Sequence, residues 1–70
     1  MTAFDLKEIA GTGGSIVVNA GGYTAYDLKT VAAALRNEAT LTIRGASKFT
    51  AYDCKTISAA APGHVCFDFS

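Results

Sequence analysis

The chain lacks an excess of charge of either sign, since six lysines and arginines balance six aspartates and glutamates. No whole-chain field therefore draws it to nucleic acid or to an anionic lipid surface. Long apolar runs are missing as well, and none approaches the length that spans a bilayer. The first residues, Met1-Thr2-Ala3-Phe4-Asp5, hold neither the basic nor the apolar segment of an export signal. The expectation is a soluble, cytoplasmic protein with no membrane partner. Cysteine is scarce, and in that compartment Cys54 and Cys66 read as free thiols rather than as a structural bridge. Bulk is scarce too, because many of the apolar residues are alanines that fill little volume. A chain of 70 residues makes one domain, and at this size a fold buries only roughly 60% of the surface its unfolded form exposes. Its core is thin unless another subunit thickens it.

What the chain does have is one stretch written three times. Thr24-Ala25-Tyr26-Asp27-Leu28-Lys29-Thr30-Val31-Ala32 is matched by Thr2-Ala3-Phe4-Asp5-Leu6-Lys7-Glu8-Ile9-Ala10 and by Thr50-Ala51-Tyr52-Asp53-Cys54-Lys55-Thr56-Ile57-Ser58, with starts 22 and 26 residues apart. Such spacing marks repeats of the solenoid kind, here 2–23, 24–49 and 50–70 within a single domain, 1–70. Each copy opens as a helix N-terminus should. The threonine caps an orphan amide, and the aspartate three residues on reaches back toward the cap and suits the positive end of the helix dipole. Met1 with Leu6, Tyr23 with Leu28 and Phe49 with Cys54 stand at hydrophobic-staple spacing. Beyond the cap, Leu28, Val31, Ala32 and Leu35 share one helical face, and Gly11, Arg36-Asn37 and Pro62-Gly63 stop the helices.

A short alternating run follows each stop and reads as a strand: Ser15 to Ala20, Thr40 to Arg44 and His64 to Phe69. Ile16, Val18, Leu41, Ile43, Val65, Phe67 and Phe69 fall on the core side of these strands. Val17, Asn19, Thr42, Arg44, His64, Cys66 and Asp68 fall on the other. Strands joined through helices run parallel, so the fold class is α/β: three αβ repeats forming a small three-stranded parallel sheet, solenoid-like, with helices on one face and the other face open. This order resembles the leucine-rich-repeat architecture, one strand and one helix per unit, although the asparagine-containing leucine-rich motif is absent. The resemblance implies protein binding through the open sheet.

Chemistry is weakly marked. His64, Cys66 and Asp68 alternate on the last strand and offer the parts of a thiol or metal site. Residues two apart on a strand lie roughly 6.5 to 7 Å apart at Cα, too far for an unstrained thiol–imidazole bond. A half-exposed polar face is the plainer reading, with no catalytic residue, metal or cofactor. Arg44 and Asp68 match across strands as a register pair, with Asn19 completing the row. Lys7, Lys29 and Lys55 form a column beside Phe4, Tyr26 and Tyr52. That pattern suits weak nucleic-acid binding until Asp5, Asp27 and Asp53 are set beside it. The run Gly11-Thr12-Gly13-Gly14-Ser15 follows a helix instead of opening one, so it is a turn rather than a phosphate loop. Cys54 replaces a leucine and points to the sheet, whereas Cys66 points away from it, which keeps the two apart.

The third strand carries Val65, Phe67 and Phe69 at an edge with no following helix, and an uncovered apolar edge invites pairing. The expected role is that of a non-enzymatic module that self-associates through this C-terminal edge strand, as a two-fold dimer or as a ring or filament, and binds a protein partner on the open sheet.

Overall fold

Three times the chain enters a helix at a threonine, and each time the reciprocal cap closes. In the computed structural model, which describes residues 1–69, the helices are α1 (Ala3–Gly11), α2 (Ala25–Ala34) and α3 (Ala51–Ala60). The hydroxyls of Thr2, Thr24 and Thr50 accept from the N–H groups of Asp5, Asp27 and Asp53 at 3.1–3.2 Å. The carboxylates of those aspartates accept from the threonine N–H groups at 3.1–3.3 Å. Aspartate, shorter than the usual glutamate of this motif, thus spans the gap in every copy, and each cap satisfies two amides that the helix itself leaves without partners.

The helix stops are local as well. At the end of α1 the carbonyl of Ile9 accepts from the Thr12 N–H at 3.1 Å, the Thr12 hydroxyl at 2.8 Å and the Gly14 N–H at 3.2 Å. Gly13 turns there through φ +95°, a left-handed conformation that side chains resist. After α2, Leu35 serves as the C-cap and is half-buried. The Ala39 N–H then donates to the Arg36 carbonyl at 3.0 Å across Asn37 and Glu38, both at positive φ. Asparagine tolerates that region; glutamate sits in it at a cost of roughly 1–2 kcal/mol.

Strands β1 (Ile16–Asn19), β2 (Leu41–Arg44) and β3 (Val65–Asp68) alternate with the helices and form a parallel sheet in the order β1-β2-β3. The register is the same at both junctions: Ile16 pairs with Leu41 and Leu41 with Val65, while Asn19 pairs with Arg44 and Arg44 with Asp68. The links after β1 and β2 are single turns of 3-10 helix at Ala20–Gly22 and Ala46–Lys48. Asn19 caps the first by accepting from the Gly21 N–H at 2.9 Å. Gly45, at φ +67°, opens the second.

The core lies between the helices and one face of the sheet. Leu28, Val31, Leu41, Ile43 and Ile57 are fully enclosed, and Ala10, Ala20, Ala32 and Ala46 fill the narrow places between them. No helix among the described residues is long and apolar enough to cross a membrane.

In chemical denaturation, Ile43→Ala is expected to cost about 2–5 kcal/mol, because it empties the centre of a thin core. Thr24→Ala, which removes one cap, should cost about 1 kcal/mol. Glu38→Gly should stabilise the fold by up to about 1 kcal/mol, since glycine accepts the left-handed turn without strain. A destabilising Glu38→Gly would show that the Glu38 side chain contributes more than its backbone strain removes.

Candidate functional site

The sheet's outer face is built by alternation. With Ile16, Val18, Leu41 and Ile43 turned into the core, the intervening residues turn out: Val17, Thr42 and Cys66 in one row, Asn19, Arg44 and Asp68 in the next. Val17 is 66% exposed, unusual for a valine at the middle of a strand. In the second row the Arg44 Nε lies 3.8 Å from the Asp68 Oδ2. Both side chains are well exposed, so this pair contributes at most about 1 kcal/mol and acts mainly on register. Val17, Asn19, Arg44, Gly45 and Asp68 line a shallow, wide depression on this face.

His64 stands apart from those rows. It precedes β3 and lines a hollow of about 160 Å³ with Leu35, Arg36, Asn37, Glu38 and Ala61, beside the helix C-termini. Its N–H bonds to the Ala61 carbonyl at 2.9 Å after the turn at Pro62 and Gly63, and its carbonyl accepts from the Leu41 N–H at 2.9 Å. Cys66 and Asp68 are on the strand as expected. Among the described residues no three histidine, cysteine, aspartate or glutamate side chains come together as a metal site.

The edge at β3 differs from its two neighbours. Ile16, Val18, Leu41 and Ile43 are buried, whereas Val65 and Phe67, in the same register, are only half-buried. Phe69 lies beyond the strand, 58% exposed, with its ring stacked on Phe67 at 6.0 Å between centroids. Stacking of this offset kind stabilises by roughly 0.5–1.5 kcal/mol beyond area burial, yet it leaves both rings on the open edge.

On the helical side, Lys7, Lys29 and Lys55 are exposed and form the expected column. Tyr26 lies with Lys7 and Lys29 in a groove between α1 and α2, and Tyr52 lies with Lys29 and Lys55 in its counterpart between α2 and α3. Two polar links between successive units were not anticipated. The Tyr23 hydroxyl donates to the Met1 carbonyl at 2.7 Å, and the Lys48 ammonium donates to the Tyr23 carbonyl at 3.0 Å. The Lys48 ammonium also sits 5.3 Å from the centre of the Phe49 ring. Both accepting carbonyls belong to the residue just before a threonine cap, so the alignment of the copies marks the position, although not the donor.

Two titratable groups are displaced. The Thr2 N–H and then the Thr2 hydroxyl hold the Asp5 carboxyl below its ordinary range. Burial pushes the Cys54 thiol up, and the adjacent Asp53 charge adds to this. Cys54 and Cys66 are both free, the first half-buried and the second exposed. With the geometry in hand, comparison with family models, curated proteins and solved structures finds no match.

Alkylation followed by mass spectrometry should therefore modify Cys66 well before Cys54, because only a thiolate reacts. Equal rates would contradict the partial burial of Cys54. For Asp5 the sign follows from its lowered folded value: the cap contributes fully above the ordinary carboxylate range and is lost as pH falls through that lowered value. Helicity followed by circular dichroism should decline on strong acidification, and Asp5→Asn should remove part of that pH dependence.

Proposed function

We propose that this chain is a non-catalytic α/β repeat module, a short solenoid in the leucine-rich-repeat style, whose work is association. Its first contact is with another copy through the β3 edge, and its second is with a protein partner over the open sheet face. The observation that carries this reading is the burial step across one sheet: inward-facing residues are closed at β1 and β2 and half-open at β3, where Phe69 adds a further exposed ring. Apolar groups in contact with water at the edge of a sheet favour pairing with another chain. The exposed Val17 and Cys66 stand on either side of Thr42 in one row, beside the Arg44–Asp68 pair, and this mixed apolar and polar face has the composition of a protein-binding surface. A cytoplasmic setting suits the two free thiols.

Sedimentation velocity over a concentration series tests the reading. Association is expected at micromolar concentration, and Val65→Lys, which places a charge on the edge, should weaken it at least about tenfold, or about 1.4 kcal/mol. Val17→Ser, on the opposite face, should leave self-association unchanged. A monomer at every concentration would overturn the self-association reading.

A further inference from the structure

The three αβ units bury equivalent positions unequally, and the differences fall at opposite ends of the array. Ile9, Val31 and Ile57 occupy the same place in α1, α2 and α3; Val31 and Ile57 are 0% exposed, while Ile9 is 37% exposed. This position is closed only where a unit has a predecessor. Leu6, Leu28 and Cys54 form a second set, Ala10, Ala32 and Ser58 a third, and the inward strand residues follow the same rule. In the first two units these positions are buried, and in the last Cys54, Ser58, Val65 and Phe67 are all part-exposed. They are closed only where a unit has a successor.

Each unit thus has a front, marked by the Ile9 position, and a rear, marked by the Cys54, Ser58, Val65 and Phe67 positions. Front meets rear twice inside the chain, with one register in the sheet. We propose that the exposed rear of the third unit takes the exposed front of the first unit of a second copy, continuing the same packing between molecules. This deepens the association reading, on which it rests, by naming which surfaces meet.

The register then follows from the two junctions already formed. Ile16 of the second copy comes beside Val65, its Val18 beside Phe67 and its Asn19 beside Asp68. The backbone bonds continue in the same sense. Within the chain the Ile16 N–H donates to the Thr40 carbonyl and the Leu41 N–H to the His64 carbonyl, each at 2.9 Å; across the new junction the Val65 N–H faces the Ser15 carbonyl of the second copy. A two-fold pairing of β3 with itself covers Val65 and Phe67 but leaves Ile9 in water and replaces parallel pairing by antiparallel pairing. The head-to-tail junction closes both ends. Because it joins unlike faces, it propagates into a ring or a filament rather than ending at a dimer.

Two variants, each blocking one face, test this. Ile9→Arg closes the front and Ser58→Arg closes the rear, both at positions with access to solvent, and circular dichroism checks that each folds; Val65→Lys is the second rear-blocking variant. By sedimentation velocity the unmodified chain should grow beyond a dimer as concentration rises. Each blocked variant alone should remain a monomer, and an equimolar mixture of the two should form a heterodimer that grows no further. If Ile9→Arg associates as the unmodified chain does, in a fixed dimer, the head-to-tail junction is wrong while self-association stands. A mixture that stays monomeric overturns the junction, and an unmodified chain that is monomeric throughout overturns both.

Discussion

A three-stranded sheet covered on one face gives only its middle strand a neighbour on both edges, so only that strand's inward side chains are closed off completely, and this constraint governs the rest of the molecule. Leu41 and Ile43 on β2 are fully buried and form, with Leu28, Val31 and Ile57, the enclosed centre. The flanking strands share that protection unequally, because each helix precedes its own strand in the chain. On the β1 side, α1 supplies Leu6 and Ala10, which are buried in the same core as Ile16 and Val18. On the β3 side no described helix follows, and Val65 and Phe67 remain half in water. The alanines that make the composition seem poor in bulk have a role here, since small residues such as Ala10, Ala32 and Ala46 let helices and strands approach within so thin a layer.

Local order is set independently of that centre. Each reciprocal threonine–aspartate cap fixes where a helix begins, and the glycine-containing or left-handed turn after each helix ends it within about one turn. A short helix of marginal intrinsic stability benefits most from such signals, because nucleation is the costly step. Asp5, Asp27 and Asp53, each two residues before a lysine of the helical column, are held at the helix N-termini by these bonds. Their charges still stand within the same first turns, so the lysines face no strongly basic surface, and the helical face offers less to a polyanion than its aromatic–lysine pattern first implies.

The proposed association follows from the same geometry. With the three αβ units taken as equivalent, the face marked by Ile9 and the face marked by Val65 and Phe67 match surfaces whose counterparts already meet inside the chain. Ile9 at one end and the Val65–Phe67 edge at the other are therefore two halves of a single junction, proposed here to form between copies. The open sheet face is separate from it, which would leave Val17 and Cys66 accessible in an assembled array.

Much of the fold was legible in the sequence, for physical reasons tied to particular residues. Cap and staple spacings depend on contacts three to five residues apart, so Thr24, Asp27 and their counterparts announced the helices directly. Alternation in Ile16–Asn19 and Leu41–Arg44 announced which side chains face the core, because strand geometry repeats every two residues. The Arg44–Asp68 pair followed from aligning the copies. His64 shows a surrounding that the alternation did not reveal: just before β3, after the turn at Pro62-Gly63, it lines a hollow beside the helix ends. The links from Tyr23 to Met1 and from Lys48 to Tyr23 were likewise hidden, since they join residues 22 and 25 apart in the chain. Above all, the helical and strand segments and the faces of each are written in short motifs, because the interactions that set them are local. Which faces are closed emerges on folding, because burial depends on having a neighbour: Ile9, Val31 and Ile57 are alike in sequence, yet of the three Ile9 alone meets water.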